Sequence, residues 1–173
     1  MNPISNYDSV EAISTERKRL GPGGYVCKIT KVEDVADREY LKMEYDIVEG
    51  EFKGYWSSNE ENYGWRDSFI RSYKDKALGF FKQFMNSVES SNSGFRWEWN
   101  EKALVGKLIG IVLAEEEYER RDGDVGTRLR VAKVASIDDI RSGHYTVPEK
   151  KALTTRSVPV QTANEDDLPF DFD

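Results

Sequence analysis

A single cysteine, Cys27, is present, so no intrachain disulfide can form. There is also one histidine, His144. A zinc cluster built on Cys/His spacing is thereby excluded, and any Ser-His-acid arrangement would depend wholly on His144. Gly21-Pro22-Gly23-Gly24 is not followed by Lys-Ser/Thr, so no Walker-type nucleotide loop is present. No apolar run approaches the roughly 18 residues that cross a bilayer. Residues 1–20 are polar and charged, unlike a signal peptide. These absences predict a soluble protein of a reducing cytoplasm, with no cofactor, no metal, no catalytic residue and no membrane partner. Cys27 falls in an alternating segment and is expected to be a small core residue.

The 173 residues are 38% hydrophobic and 33% charged, which suits one globular domain of about 130–150 residues plus a tail. The formal charge is −7, unevenly placed. Residues 161–173 hold five acids and no base, which leaves 27 acids against 25 bases in the rest. The body is nearly neutral, so a nucleic-acid site would have to be a local basic stripe.

Along the chain, Gly21-Pro22-Gly23-Gly24 is a firm turn signal. Residues 25–32 then alternate, with Tyr25, Cys27 and Ile29 on one face and Val26, Lys28 and Thr30 on the other. A charged loop, 33–39, leads to a clear half-buried strand over 40–48. Leu41, Met43, Tyr45 and Ile47 form its apolar face; Tyr40, Lys42, Glu44 and Asp46 form its polar face. A third strand is expected near 54–59, carrying Tyr55 and Trp56. Residues 60–75 read as an aromatic and basic loop with Trp65, Arg66, Arg71, Tyr73 and Lys74. Ala77, Phe81, Phe84, Met85 and Val88 fall at helical spacing over 76–90. Trp97 and Trp99 are expected to pack under a loop. A strongly apolar strand follows at 105–114, then a charged hairpin loop at 115–126 and a fifth strand at 127–134. That strand sets Leu129 and Val131 against Arg128 and Arg130.

Three strands, a helix and two strands is the element order of the OB-fold, a five-stranded Greek-key barrel with its helix between strands 3 and 4. The expected fold is therefore mainly β. Residues 1–20 form an arm, 21–145 the OB-fold domain, and 146–173 a disordered linker and acidic tail. In such a barrel strand one is expected to lie beside both strand two and strand five, so that Lys28, Lys42, Arg128 and Arg130 share an outward face.

The tail ends Glu165-Asp166-Asp167-Leu168-Pro169-Phe170-Asp171-Phe172-Asp173. An acidic run of this kind cannot bury enough apolar surface to fold alone. Its two aromatics suit a partner with a basic patch and ring-sized pockets. Asp166-Asp167-Leu168-Pro169-Phe170 resembles the acidic C-terminal tip of bacterial and phage single-stranded DNA-binding proteins, although Asp171, Phe172 and Asp173 extend beyond the Phe on which that tip ends. Residues 20–135 also resemble a group of phage-encoded proteins of DNA metabolism. They share the Gly23-Gly24-Tyr25 lead, the turn Glu49-Gly50-Glu51-Phe52-Lys53-Gly54, and the entry Val105-Gly106-Lys107-Leu108-Ile109-Gly110. The resemblance implies a phage single-stranded DNA-binding protein of replication, recombination or repair, acting in the host cytoplasm. Its tail would recruit replication or recombination proteins.

A single-strand binder needs cations that replace counterions and aromatic faces that stack on bases. Lys28, Tyr40, Lys42, Tyr55, Trp56, Arg128 and Arg130 are the expected contacts. Asp166, Asp167, Leu168, Pro169, Phe170 and Phe172 are the expected partner-binding residues of the tail. One OB-fold covers about 4–16 nucleotides, so tight coating favours a homo-oligomer, with a dimer expected. Two other readings stand beside this one. In the first, the chain loads a recombinase or helicase and binds little DNA itself. In the second, Asp46 with Glu51-Phe52-Lys53 is part of a Mg²⁺-dependent nuclease.

Overall fold

The computed structural model describes residues 19–58 and 67–154. Five strands make one antiparallel sheet: β1 (Gly23–Val35), β2 (Tyr40–Ile47), β3 (Ser68–Ser72), β4 (Leu108–Glu119) and β5 (Val125–Ala135). Their spatial order is β3-β2-β1-β4-β5. The helix α1 (Leu78–Ser91) joins β3 to β4, and a short helix, α2 (Ile137–Ser142), follows β5.

The alternation read along the second strand holds from Tyr40 to Tyr45 and fails at Asp46, which is buried although it falls on the expected polar face. Leu41, Met43, Tyr45 and Ile47 are buried in the main core, together with Cys27 and Ile29 of β1 and Ile109, Ile111 and Leu113 of β4. Phe81, Phe84, Met85 and Val88 project from one side of α1 into that core, as the i, i+3, i+4, i+7 spacing requires. Phe80 lies off that stripe and is 73% exposed. At the end of α1, Asn92 ties the helix to the sheet. Its side-chain amide donates to the Val88 and Leu108 carbonyls at 2.7 and 2.9 Å, and its oxygen accepts from the Leu108 amide at 2.9 Å.

β4 is buried on both faces from Ile109 to Ala114, which marks a central strand. On the face away from α1, Val26 and Val112 pack against Ile137 and Ile140 of α2. Gly110 lets α2 approach. A Cβ there would stand 2.5 Å from Ile140 Cγ1 and 2.8 Å from the Ser136 carbonyl oxygen.

Three expectations are corrected. β1 does not lie beside β5; it pairs with β2 and β4, and β4 separates the two. The physical reason is the β4–β5 hairpin. Its strands run well past the expected loop boundaries, with Glu119 opposite Val125, so β5 takes one edge of β4 and β1 the other. The third strand expected near 54–59 is not found among the described residues of that segment. Residues 51–58 form turns and a bend, and β3 comes from the segment read as an aromatic loop. Gly50 and Gly54, at φ of 82° and 71°, curl the chain in a region that favours glycine. Asp46 then fixes that curl by accepting the amides of Ile47, Trp56 and Ser57 at 2.9, 3.2 and 3.1 Å. Third, Trp97 packs against the core but Trp99 does not; it is 81% exposed.

β1 covers β4 only as far as Leu113. Beyond that point the residues after α2 take over the vacated edge. The Lys151 amide donates to the Glu115 carbonyl at 3.0 Å and the Glu117 amide to the Lys151 carbonyl at 2.9 Å. Glu117 is bound in turn by the Leu153 amide and the Lys150 ammonium, which hold its carboxyl below the usual range.

Candidate functional site

β3 and β5 are the two ends of the sheet order. Their edges line one groove of about 690 Å³. Ser68, Phe69, Ile70 and Arg71 come from β3, Arg128 to Val131 from β5, and Tyr55 and Trp56 from the turn that Asp46 holds. Leu20, Asp67 and Glu116 complete the lining. The floor is apolar because Leu20, Trp56 and Phe69 belong to the main core. Trp56 meets Tyr45 edge-on at 5.0 Å and Tyr55 edge-on at 5.2 Å.

The lining carries three guanidiniums, Arg71, Arg128 and Arg130, against two carboxylates, Asp67 and Glu116. Arg128 stands directly opposite Glu116 in the β4–β5 register. Its Nε donates to Glu116 Oε1 at 2.8 Å, and its guanidinium lies 5.2 Å above the Tyr118 ring. Arg130 reaches the other oxygen of the same carboxylate, with Nε 3.6 Å from Glu116 Oε2. That distance is too long for a hydrogen bond, and the buried Arg130 Nε has no acceptor among the described residues. Arg71 lies 5.1 Å over the Phe69 ring and donates to the Ile70 carbonyl at 2.8 Å. Burial lowers its pKa, but an arginine remains cationic in proteins.

Asp67 links the groove to the core. It accepts a short hydrogen bond from the Tyr45 hydroxyl and one from the Ser68 amide at 2.9 Å. Burial raises its pKa, and the two hydrogen bonds oppose that shift without cancelling it. Burial and the neighbouring Asp67 both raise the pKa of Tyr45, so its phenol stays protonated and serves as donor. Burial likewise pushes the Cys27 thiol up, which keeps it in the inert thiol form.

Of the seven expected contacts, the fold gathers four at this groove: Tyr55, Trp56, Arg128 and Arg130. Trp56 is 4% exposed and is a core residue, whereas Tyr55 is half-buried and lines the groove, its ring edge-on to those of Phe52 and Trp56. The other three do not line the groove. Lys28 pairs with Asp46 and Leu108, Lys42 with Glu33 and Ile70, and Tyr40 with Val35 and Ser72. The β1 register shift between Ile29 and Lys31 falls between Lys28 and the other two positions. Trp65, Arg66 and the tail residues Asp166 to Phe172 lie outside the described residues.

Asp67 and Glu116 escaped the sequence reading. Glu116 sits in the run Glu115-Glu116-Glu117, and only the strand register picks it out as the partner of Arg128. Asp46, the expected metal ligand of the nuclease reading, has both carboxylate oxygens engaged by backbone amides. No family model matches the chain, and no curated protein is similar to it in sequence.

Proposed function

We propose that the protein binds single-stranded DNA along the β3/β5 groove and recruits replication or recombination proteins through its acidic tail. The observation that carries this reading is the convergence of Arg71, Arg128, Arg130 and the half-buried Tyr55 on one groove. Guanidiniums on the rim engage backbone phosphates, and the Tyr55 ring provides a face for a base. These are the two elements that sequence-tolerant single-strand binding requires.

An OB-type reading of the fold belongs to the same proposal. What supports it is the mainly β sheet of five strands with a helix between β3 and β4; in this reading strand one has β2 and β4 as neighbours instead of the β5 first expected. A small groove on a nearly neutral body gives a short footprint, so the protein coats longer strands as an oligomer, for which a dimer is the simplest form. In this reading the tail, with Asp166, Asp167, Leu168, Pro169, Phe170 and Phe172, carries the partner contacts.

The test is fluorescence anisotropy of a labelled oligo-dT of about 30 nucleotides at two salt concentrations, with a duplex as control. Binding should be submicromolar, weaker at higher salt, and much weaker to the duplex. Reversing both charges, Arg128→Glu with Arg130→Glu, should abolish it. The loading-factor reading is favoured by Glu116, which neutralises one of the two β5 arginines. Under that reading the wild type binds no DNA at low salt, with or without residues 161–173.

A further inference from the structure

The geometry points to Glu116 as an internal stand-in for a backbone phosphate, displaced when a strand enters the groove. This inference rests on the single-strand reading above. Glu116 presents one oxygen to each of two guanidiniums, Arg128 at 2.8 Å and Arg130 at 3.6 Å. A phosphodiester has the same equipment: one negative charge shared by two oxygens. The arrangement is also under-supplied. One carboxylate serves two cations, and the buried Arg130 Nε lacks an acceptor among the described residues. A buried donor without a partner is unfavourable, and an incoming phosphate oxygen would satisfy it.

Glu116 differs in this from its neighbour. Glu117 is matched by its own lysine, Lys150 at 3.1 Å, and by the Leu153 amide at 3.2 Å. Glu116 also differs in position, since its carboxylate lines the groove and is only 17% exposed. In the empty protein it keeps both arginines aimed and their charge partly cancelled. On binding, the carboxylate is exchanged for a phosphate. The exchange lowers affinity for any strand, and it penalises most those ligands that reach only one of the two arginines.

Glu116→Gln removes the charge and keeps the shape. In the anisotropy titration at about 50 mM salt it should tighten binding to oligo-dT by about tenfold. Adding Arg128→Gln should cancel the tighter binding. Equal or weaker binding by Glu116→Gln overturns the inference, provided the wild type binds in an Arg128-dependent way. If neither protein binds, the single-strand reading fails and takes the inference with it.

Nuclear magnetic resonance on the wild type covers the case of a misfolded variant. Adding oligo-dT should shift the Nε–H signals of Arg128 and Arg130 and move the Glu116 carboxyl carbon towards the position of a solvated carboxylate. Shifted arginines beside an unmoved Glu116 carboxyl would equally overturn the exchange.

Discussion

The centre of the sheet and the seam between its two ends are built on opposite plans. At the β1–β4 junction both faces are sealed: Cys27, Ile29, Ile109 and Ile111 point into the main core, and Val26 and Val112 pack under α2. Polar groups there have dedicated partners, as Asn92 does on the Leu108 backbone. At the β3/β5 seam the same sheet presents arginines over an apolar floor, with one carboxylate divided between two of them. Burial that is complete at the centre supplies stability; under the proposed function, the seam, left short of partners, is where a strand would bind. Substitutions at the centre should therefore move stability and leave strand binding alone, while substitutions of the seam's exposed contacts should act mainly on binding.

Asp46 is the strongest way to break that division, because it belongs to both regions. It lies on β2 at 5% exposure and holds the turn that carries Tyr55 and Trp56. Asp46→Ala leaves three amides without their acceptor, two of them in buried bonds. The expected loss is about 3 kcal/mol, read from urea unfolding, with weaker oligo-dT binding because Tyr55 loses its support. A stable Asp46→Ala protein would mean that the turn is held by its aromatic contacts instead.

Gly110 tests the sealed centre alone. An added methyl meets Ile140 Cγ1 at 2.5 Å and the Ser136 and Ala135 carbonyl oxygens at 2.8 and 2.9 Å. Two of the three are backbone atoms, so the clash is relieved only by moving the backbone where β5 ends and α2 begins. Gly110→Ala should lose about 2 kcal/mol and keep its affinity for oligo-dT. Tyr55→Leu is the matched test of the seam. Leucine keeps the apolar filling and removes the stacking face, so affinity should fall roughly tenfold, within the range for one stacked base. Its thermal midpoint should change little.

What the sequence made legible follows the period of the apolar residues. β2 and the buried side of α1 read correctly because one face is buried and the spacing says so, and the apolar half of β4 because a strand buried on both faces is apolar throughout. The third strand did not. β3 is short, and its Phe69 and Ile70 sit among Trp65, Arg66 and Arg71, a composition that hides the alternation. Tyr55 and Trp56 looked strand-like because β-formers follow a glycine turn, yet Asp46, ten residues upstream of Trp56, decides their conformation through the backbone. Arg128 and Arg130 were visible as an alternating pair. Their link to Glu116 was not, since which of three consecutive glutamates faces them depends on a register set by the β4–β5 hairpin.

The smallest expected effect sharpens the seam's own economy of charge. Burial raises the Asp67 pKa, so the folded protein holds this proton more tightly than the unfolded chain does. By linkage, stability falls as pH rises through the window that opens at the ordinary Asp value of about 3.9 and closes at the raised folded value. Asp67 therefore weakens the fold at neutral pH, and acid relieves that weakness. Asp67→Asn removes the titration; its one oxygen keeps the bond from the Ser68 amide, and its NH2 can donate to the Tyr45 hydroxyl oxygen in place of the bond now running the other way. Its thermal midpoint should exceed that of the wild type at pH 7 by a small margin, and the margin should shrink as the pH approaches 4. A margin independent of pH would assign the difference to packing. A destabilised Asp67→Asn protein would mean that the charged carboxylate is itself needed at the seam, as a counterion to the arginines that line it.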